Sequence, residues 1–293
     1  MTIAVCYLSP EGIVLGADST TTMYVSNAFM DGGERQFNFA QKVFQIGDCG
    51  NLGIVMWGLG NLPATSYRTL IAKFADELAA TPATAMDEVA TRWSAFFFAE
   101  YTQEYAAPIV RLSTLISQAT RTVDEEQELA FLRFNFSGGF CIGGTCLPDR
   151  RPRAFEILYA LEMAYPSVPA EQTLSTSKFW GCPNLIERLL FGIDDQCFSS
   201  IASSPHWRGT AQDLFELARP HILGQPSNLP IREAVDWVHA SIYATIKTMK
   251  FSHMAPVCGG PIEIAVITTD RPFRWVRHKD LFAATAQDTT QYG

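Results

Sequence analysis

Two hydrophobic periods take turns along this chain, and their order constrains the fold more than any single residue does. Alternating runs rich in β-branched and aromatic residues at 2–8, 13–18, 42–48 and 52–58 read as strands. "SPEG" (9–12) turns the first into the second, and "CGN" (49–51) does the same for the second pair. The four are expected to form one antiparallel meander, with the polar segment 19–40, which carries "DGGE", as a loop. The period then becomes helical. Leu62, Leu70, Ile71, Phe74 and Leu78 place a helix over 61–80, Pro82 separates it from a second over 83–107, and helix continues over 108–133, ending in "TVDEEQELA". Strand character returns at 137–146 and 153–161, joined by "LPDRRP" as a hairpin. Helices follow at 181–193, opening near Pro183, at 209–222, stopped near Pro220, and at 230–249, with 194–208 as a loop. Residues 261–270 and 273–277 form a last hairpin around "DRP". Runs of strands alternating with runs of helices predict an α+β chain of antiparallel sheets with segregated helix layers, not βαβ units. No tandem repeat or interdomain linker interrupts it, so a single domain is expected over 1–293, with a mobile polar tail at 284–293.

Composition narrows the function classes. Apolar residues make up 47% and charged residues 18%, enough for a large core. A net charge of −8 argues against nucleic acid as the main partner, which needs a concentrated basic face. No run approaches the roughly 18 apolar residues of a membrane span, and no secretory leader pattern is present, so no membrane role and a cytoplasmic location are expected. The seven Cys are odd in number, and Cys141 and Cys146 lack zinc-knuckle spacing. The five His include no HExxH pattern, so neither a metal nor another cofactor is expected.

The residues that carry chemistry lie at strand ends. Methionine is generally trimmed when a small residue follows, and removal of Met1 would leave Thr2 with a hydroxyl and a free α-amine. A hydroxyl needs an adjacent base at neutral pH, and an α-amine, with an ordinary pKa near 7.7–8.0, can be that base. A nearby cation keeps the amine neutral. Lys42 opens the third strand, which could lie beside the first. Asp18 ends the second strand, where a hairpin returns it near the chain start to hold Lys42. Gly58 ends the fourth strand, where its backbone could approach a substrate and offer an N–H to an oxyanion.

These motifs together resemble those of the β-subunits of proteasomes and their bacterial relatives, including the HslV peptidase. In that family a mature N-terminal Thr starts the first strand, as Thr2 does. A "GAD" element follows, matched by Gly16-Ala17-Asp18, and a Lys precedes a "[IV][YF]QI" strand, matched by "KVFQI" from Lys42. A Gly after the next strand is matched by Gly58. The resemblance implies Thr2 as nucleophile, its amine as base, Lys42 as the cation beside that amine, Asp18 as its orienter and Gly58 as oxyanion donor. It also implies the four-layer αββα sandwich of N-terminal-nucleophile hydrolases, a polypeptide substrate, a homo-oligomeric ring or spiral, and an ATPase unfoldase as partner.

The chain departs from the pattern in places. Gly181-Cys182-Pro183 stands where the family has Gly-Ser-Gly. Ala255 and Cys258 stand where it has an Asp and a Ser, with His253 as a partial substitute. Segments 19–40, 108–135 and 194–228 are longer than the pattern. Three functions stay open: a threonine peptidase, a small-molecule amide or lactam hydrolase on the same fold, and a non-catalytic ring subunit. Trp93 and "AFFF" (95–98) could serve either an oligomer surface or the core.

Overall fold

Strand β1 (Ile3–Ser9) and strand β2 (Gly12–Ala17) form the first hairpin, pairing from Ser9 with Gly12 to Ala4 with Ala17. Every residue of both strands is buried, so both faces must be apolar. That is why "IVLGA" reads as a continuous apolar run. The computed structural model describes residues 2–27, 30–47, 50–253 and 255–279, with only the backbone course for 23–27 and 30–35. Met1, Cys49 and the tail 284–293 lie outside the described residues.

Segment 19–40 is not a loop. It holds β3 (Thr21–Asn27) and β4 (Met30–Phe37), a two-stranded antiparallel sheet. The strand-forming content of "TTMYV" outweighs the glycine pair of β4. The single meander over the first 58 residues is also corrected. β5 (Val43–Gln45) and β6 (Leu52–Gly58) pair with each other, but in a different sheet from β1 and β2. Two fully buried faces on β1 and β2 require cover on both sides, and a second sheet supplies one of them.

The helical stretch divides at its caps. α1 (Tyr67–Ala80) starts later than the period suggests, because the Ser66 hydroxyl accepts the Thr69 N–H at 3.1 Å and fixes the N-terminus there. α2 (Met86–Glu104) and α3 (Ala106–Ser117) follow. "TVDEEQELA" opens α4 (Val123–Asn135) rather than ending a helix. Thr122 and Glu125 form a capping box, and the acidic first turn suits the positive end of the helix dipole.

Strands β7 (Gly138–Gly144) and β8 (Arg153–Tyr159) form the expected hairpin. Two strands were not anticipated, β9 (Ala170–Glu171) and β10 (Thr176–Gly181), being short and polar in part. α5 (Asn184–Phe191) precedes α6 (Asp195–Ala202), which occupies the start of the predicted loop 194–208. α7 (Ala211–Ala218) passes at Arg219–His221 into a 3₁₀ turn containing Pro220. α8 (Ile231–Phe251), β11 (Glu263–Thr268) and β12 (Arg274–Arg277) complete the order.

The result is a mixed chain with antiparallel sheets of order β10-β1-β2-β11-β12 and β5-β6-β7-β8-β9. Period-2 alternation divides β1 between two apolar clusters. Ala4, Cys6 and Leu8 pack with Val55, Trp57 and Cys141 of the other sheet. Ile3, Val5 and Tyr7 pack with Val238, Ile242 and Met249 of α8. A third cluster joins Ile54, Met56 and Phe140 to Phe74, Trp93, Phe97 and Leu112 of α1–α3. Trp93 and Phe97 are therefore core residues, and Phe140 meets Phe97 edge-on at 4.6 Å. Trp57 and Trp180 stack at 4.5 Å between the sheets, and Trp180 Nε1 donates to Glu156 Oε1 at 2.6 Å. Among the described residues, no helix is long and apolar enough to cross a membrane.

Asp194 explains α6. Its carboxylate caps the helix through the Cys197 N–H at 3.0 Å and pairs with Arg188. Burial pushes its pKa up, but Arg188 and the N–H donors of Cys197 and Asn184 outweigh that and hold it below the usual value. A depressed carboxylate contributes stability that is complete above its unfolded pKa and is lost as pH falls through the folded one. Asp194→Asn keeps a capping oxygen and loses the charge. The variant should be less stable than wild type at pH 7, with the gap closing below about pH 4, as read by urea midpoints across pH.

Candidate functional site

The candidate site is assembled from strand ends of both sheets. Thr2 precedes β1 and is 3% exposed. Gly181, at φ +85°, packs so closely that a Cβ there would lie 1.9 Å from the Thr2 carbonyl oxygen. A side chain at 181 would displace Thr2, so the glycine that ends β10 defines where the chain start sits.

Asp18, fully buried just past β2, organises the surroundings. Its Oδ1 accepts from the Ile3 N–H at 3.1 Å and from Lys42 Nζ at 2.7 Å. Its Oδ2 accepts from the Gly259 N–H at 2.9 Å and the Thr20 N–H at 3.2 Å. Its own N–H donates to the Ile3 carbonyl at 3.2 Å. Asp18 is thus tied on both sides to the residue that follows Thr2, which orients the chain start relative to Lys42.

Lys42 does not sit on a strand beside β1. It precedes β5 in the other sheet and reaches Asp18 across the intersheet space, its side chain 6% exposed. Thr2, Thr22, Lys42, Met56, Gly58 and Gly60 line one cleft. Gly58 has φ +86°, and a Cβ there would lie 2.4 Å from the Ser137 carbonyl oxygen, so close packing against β7 requires glycine. The Thr22 hydroxyl oxygen in this cleft is buried with no hydrogen-bond partner in the protein.

Cys182 and Cys258, read as stand-ins for supporting polar residues, meet here. The hydrogen bond from Cys258 holds the Cys182 thiol below its ordinary value despite burial, and a hydrogen bond with the Thr2 backbone acts in the same direction. The same bond, together with burial, pushes Cys258 up. Both side chains are buried. His253 is exposed beyond α8, and among the described residues no hydrogen bond or ion pair joins it to this group. Ala255 is exposed as well.

Sequence reasoning missed three contributors. Gly259 supplies the N–H to Asp18 and accepts the Ser19 N–H at 3.0 Å. Glu263, fully buried on β11, pairs with Lys279 at 3.1 Å and with His278 at 2.8 Å. Lys279 also donates to the Ala40 carbonyl at 2.8 Å and to Ser19 Oγ at 3.4 Å. A lone acid inside the apolar run "PIEIAVI" was the available signal, since a buried charge requires a partner. Nothing local pointed to Lys279.

No protein-family model matches the chain, and no curated protein matches it. Among solved structures, an Anbu (Gly-1) mutant from Hyphomicrobium sp. strain MC1 is similar at 17% identity and a TM-score of 0.45, covering 99% of this chain and 96% of that one. A likeness at that level assigns neither fold nor function. The resemblance to proteasome β-subunits and HslV read from "GAD", "KVFQI" and Gly58 is therefore not upheld as family membership. Those motifs are a few residues each.

Proposed function

We propose that the chain is an N-terminal threonine peptidase acting once the Thr2 amine is free. The observation that carries this reading is the buried Lys42–Asp18 pair, of which Lys42 lines one cleft with Thr2 and Gly58. A buried ion pair is a weak source of stability, because desolvation offsets most of its attraction. Its use is to place a cation at one point. A cation beside the Thr2 amine disfavours a second positive charge and leaves the amine able to accept a proton.

The Thr2 hydroxyl attacks an amide carbonyl, and its proton passes to the α-amine directly or through one water. The C–O bond forms as the carbonyl becomes an oxyanion, which the Gly58 N–H receives. Collapse breaks the C–N bond, and the ammonium of Thr2 returns a proton to the leaving amine. Water then hydrolyses the ester, with the same amine as base. The three apolar clusters, one between the sheets and one under helices on each outer face, support reading the fold as the four-layer αββα sandwich of N-terminal-nucleophile hydrolases.

The test is intact mass with and without an epoxyketone or β-lactone that requires an N-terminal Thr. A protein lacking Met1 and gaining one adduct, mapped to Thr2, is expected. Retained Met1, or no adduct on a free Thr2, would sink the proposal. Digestion of casein against a panel of small amides then separates peptide from small-amide hydrolysis.

A further inference from the structure

We propose that Lys279 is a positioning residue for the Lys42–Asp18 pair, a role that rests on the reading of Thr2 as nucleophile. An ammonium has three N–H donors, and Lys279 donates to the Ala40 carbonyl at 2.8 Å and to Ser19 Oγ at 3.4 Å, with Glu263 Oε2 at ion-pair distance, 3.1 Å. Ser19 directly follows Asp18, and Ala40 lies just ahead of Lys42 in the chain. One cation therefore grips the backbone neighbours of both partners. The same two residues are joined to each other, the Ala40 N–H donating to the Ser19 carbonyl at 2.9 Å.

Glu263 anchors the clamp. It is paired in register with Ala17, the residue before Asp18, and is fully buried. Its oxygens lie at ion-pair distance from Lys279 and His278 without hydrogen-bond alignment, so its contribution is charge more than direction. Lys279 is itself 8% exposed. An apolar pair would fill this space with no desolvation cost, whereas a donor ties the Ala40 carbonyl to the Ser19 hydroxyl and so reinforces the backbone bond those residues already share.

The titratable and charged groups packed about the Lys42–Asp18 pair come from five places. They are Asp18 after β2, Lys42 before β5, Cys182 at the start of α5, Cys258 and Glu263 on the approach to and within β11, and His278 with Lys279 after β12. With the clamp gone, Lys42 is held less closely and the amine keeps its proton to higher pH.

The experiment follows the rate of β-lactone labelling at Thr2 against pH in the full-length protein. In Lys279→Met the rate at pH 7 should fall about tenfold, with the acid-side half-point displaced upward. The double variant Glu263→Gln/Lys279→Met leaves no unpaired buried charge, so it folds, and it should show the same displacement. Lys279→Arg should restore the wild-type half-point. A half-point in the double variant equal to that of wild type overturns the proposal, even where the rate falls, since packing loss alone lowers rate without moving it. If wild type is not labelled, the Thr2 reading fails and this role fails with it. A labelled wild type with unmoved variants removes the role of Lys279 alone.

Discussion

Thr2→Ala abolishes hydrolysis in this scheme, with kcat falling roughly 10⁴-fold or more, as expected when a nucleophile is removed from a set that acts as a unit. The fold should survive. Thr2 lies ahead of β1, and the contacts that fix the chain start belong to the Ile3 backbone and to Asp18. The loss is one small buried side chain, costing about 1 kcal/mol. Thr2→Ser keeps the hydroxyl and the amine and should retain measurable turnover. Peptide turnover and urea unfolding on the same preparations make the check. An Ala variant with wild-type turnover rules out Thr2 as nucleophile.

Asp18→Ala should be the most damaging single change to stability at the site. Removing this carboxylate leaves the N–H groups of Ile3, Thr20 and Gly259 without their acceptor, and leaves the Lys42 ammonium buried and unpaired. Breaking a buried pair by deleting one partner costs about 3–5 kcal/mol, and each stranded N–H adds to this. Activity should fall with it, because Lys42 loses the group that holds it. Lys42→Met is the informative contrast. It removes the cation but leaves Asp18 its three N–H donors, so it should lose most activity at a smaller stability cost. Denaturant midpoints separate the two. Equal midpoints for both variants would show that the N–H contacts of Asp18 contribute nothing.

Much of this was legible before any coordinates. The β1–β2 hairpin follows from alternation and a Pro-Glu-Gly turn. α8 follows from a long helical stripe whose Ala234, Val238, Ile242 and Met249 are buried. Thr2, Asp18, Lys42 and Gly58 were selected as strand-end residues; Thr2, Lys42 and Gly58 line one cleft, and Asp18 is bonded to Lys42. The misreadings have local causes. Acidic residues in "TVDEEQELA" signal a helix start as readily as a charged end, and the capping box decides between them. Segment 19–40 carries both glycine and strand-forming residues, and pairing between its halves settles the matter.

By itself the sequence determined which stretches could be strands or helices and which strand ends carry a hydroxyl, a carboxylate and a cation, because periodicity and turn chemistry act over a few residues. Tertiary structure alone decided which sheet each strand joins, that Lys42 reaches Asp18 from the facing sheet, and that Cys182 meets Cys258. It also decided that Lys279 grips Ser19, 260 positions earlier in the chain. Such contacts depend on which faces are buried against each other. A buried charge then takes whatever partner the packing brings within reach, and no local pattern marks that partner in advance.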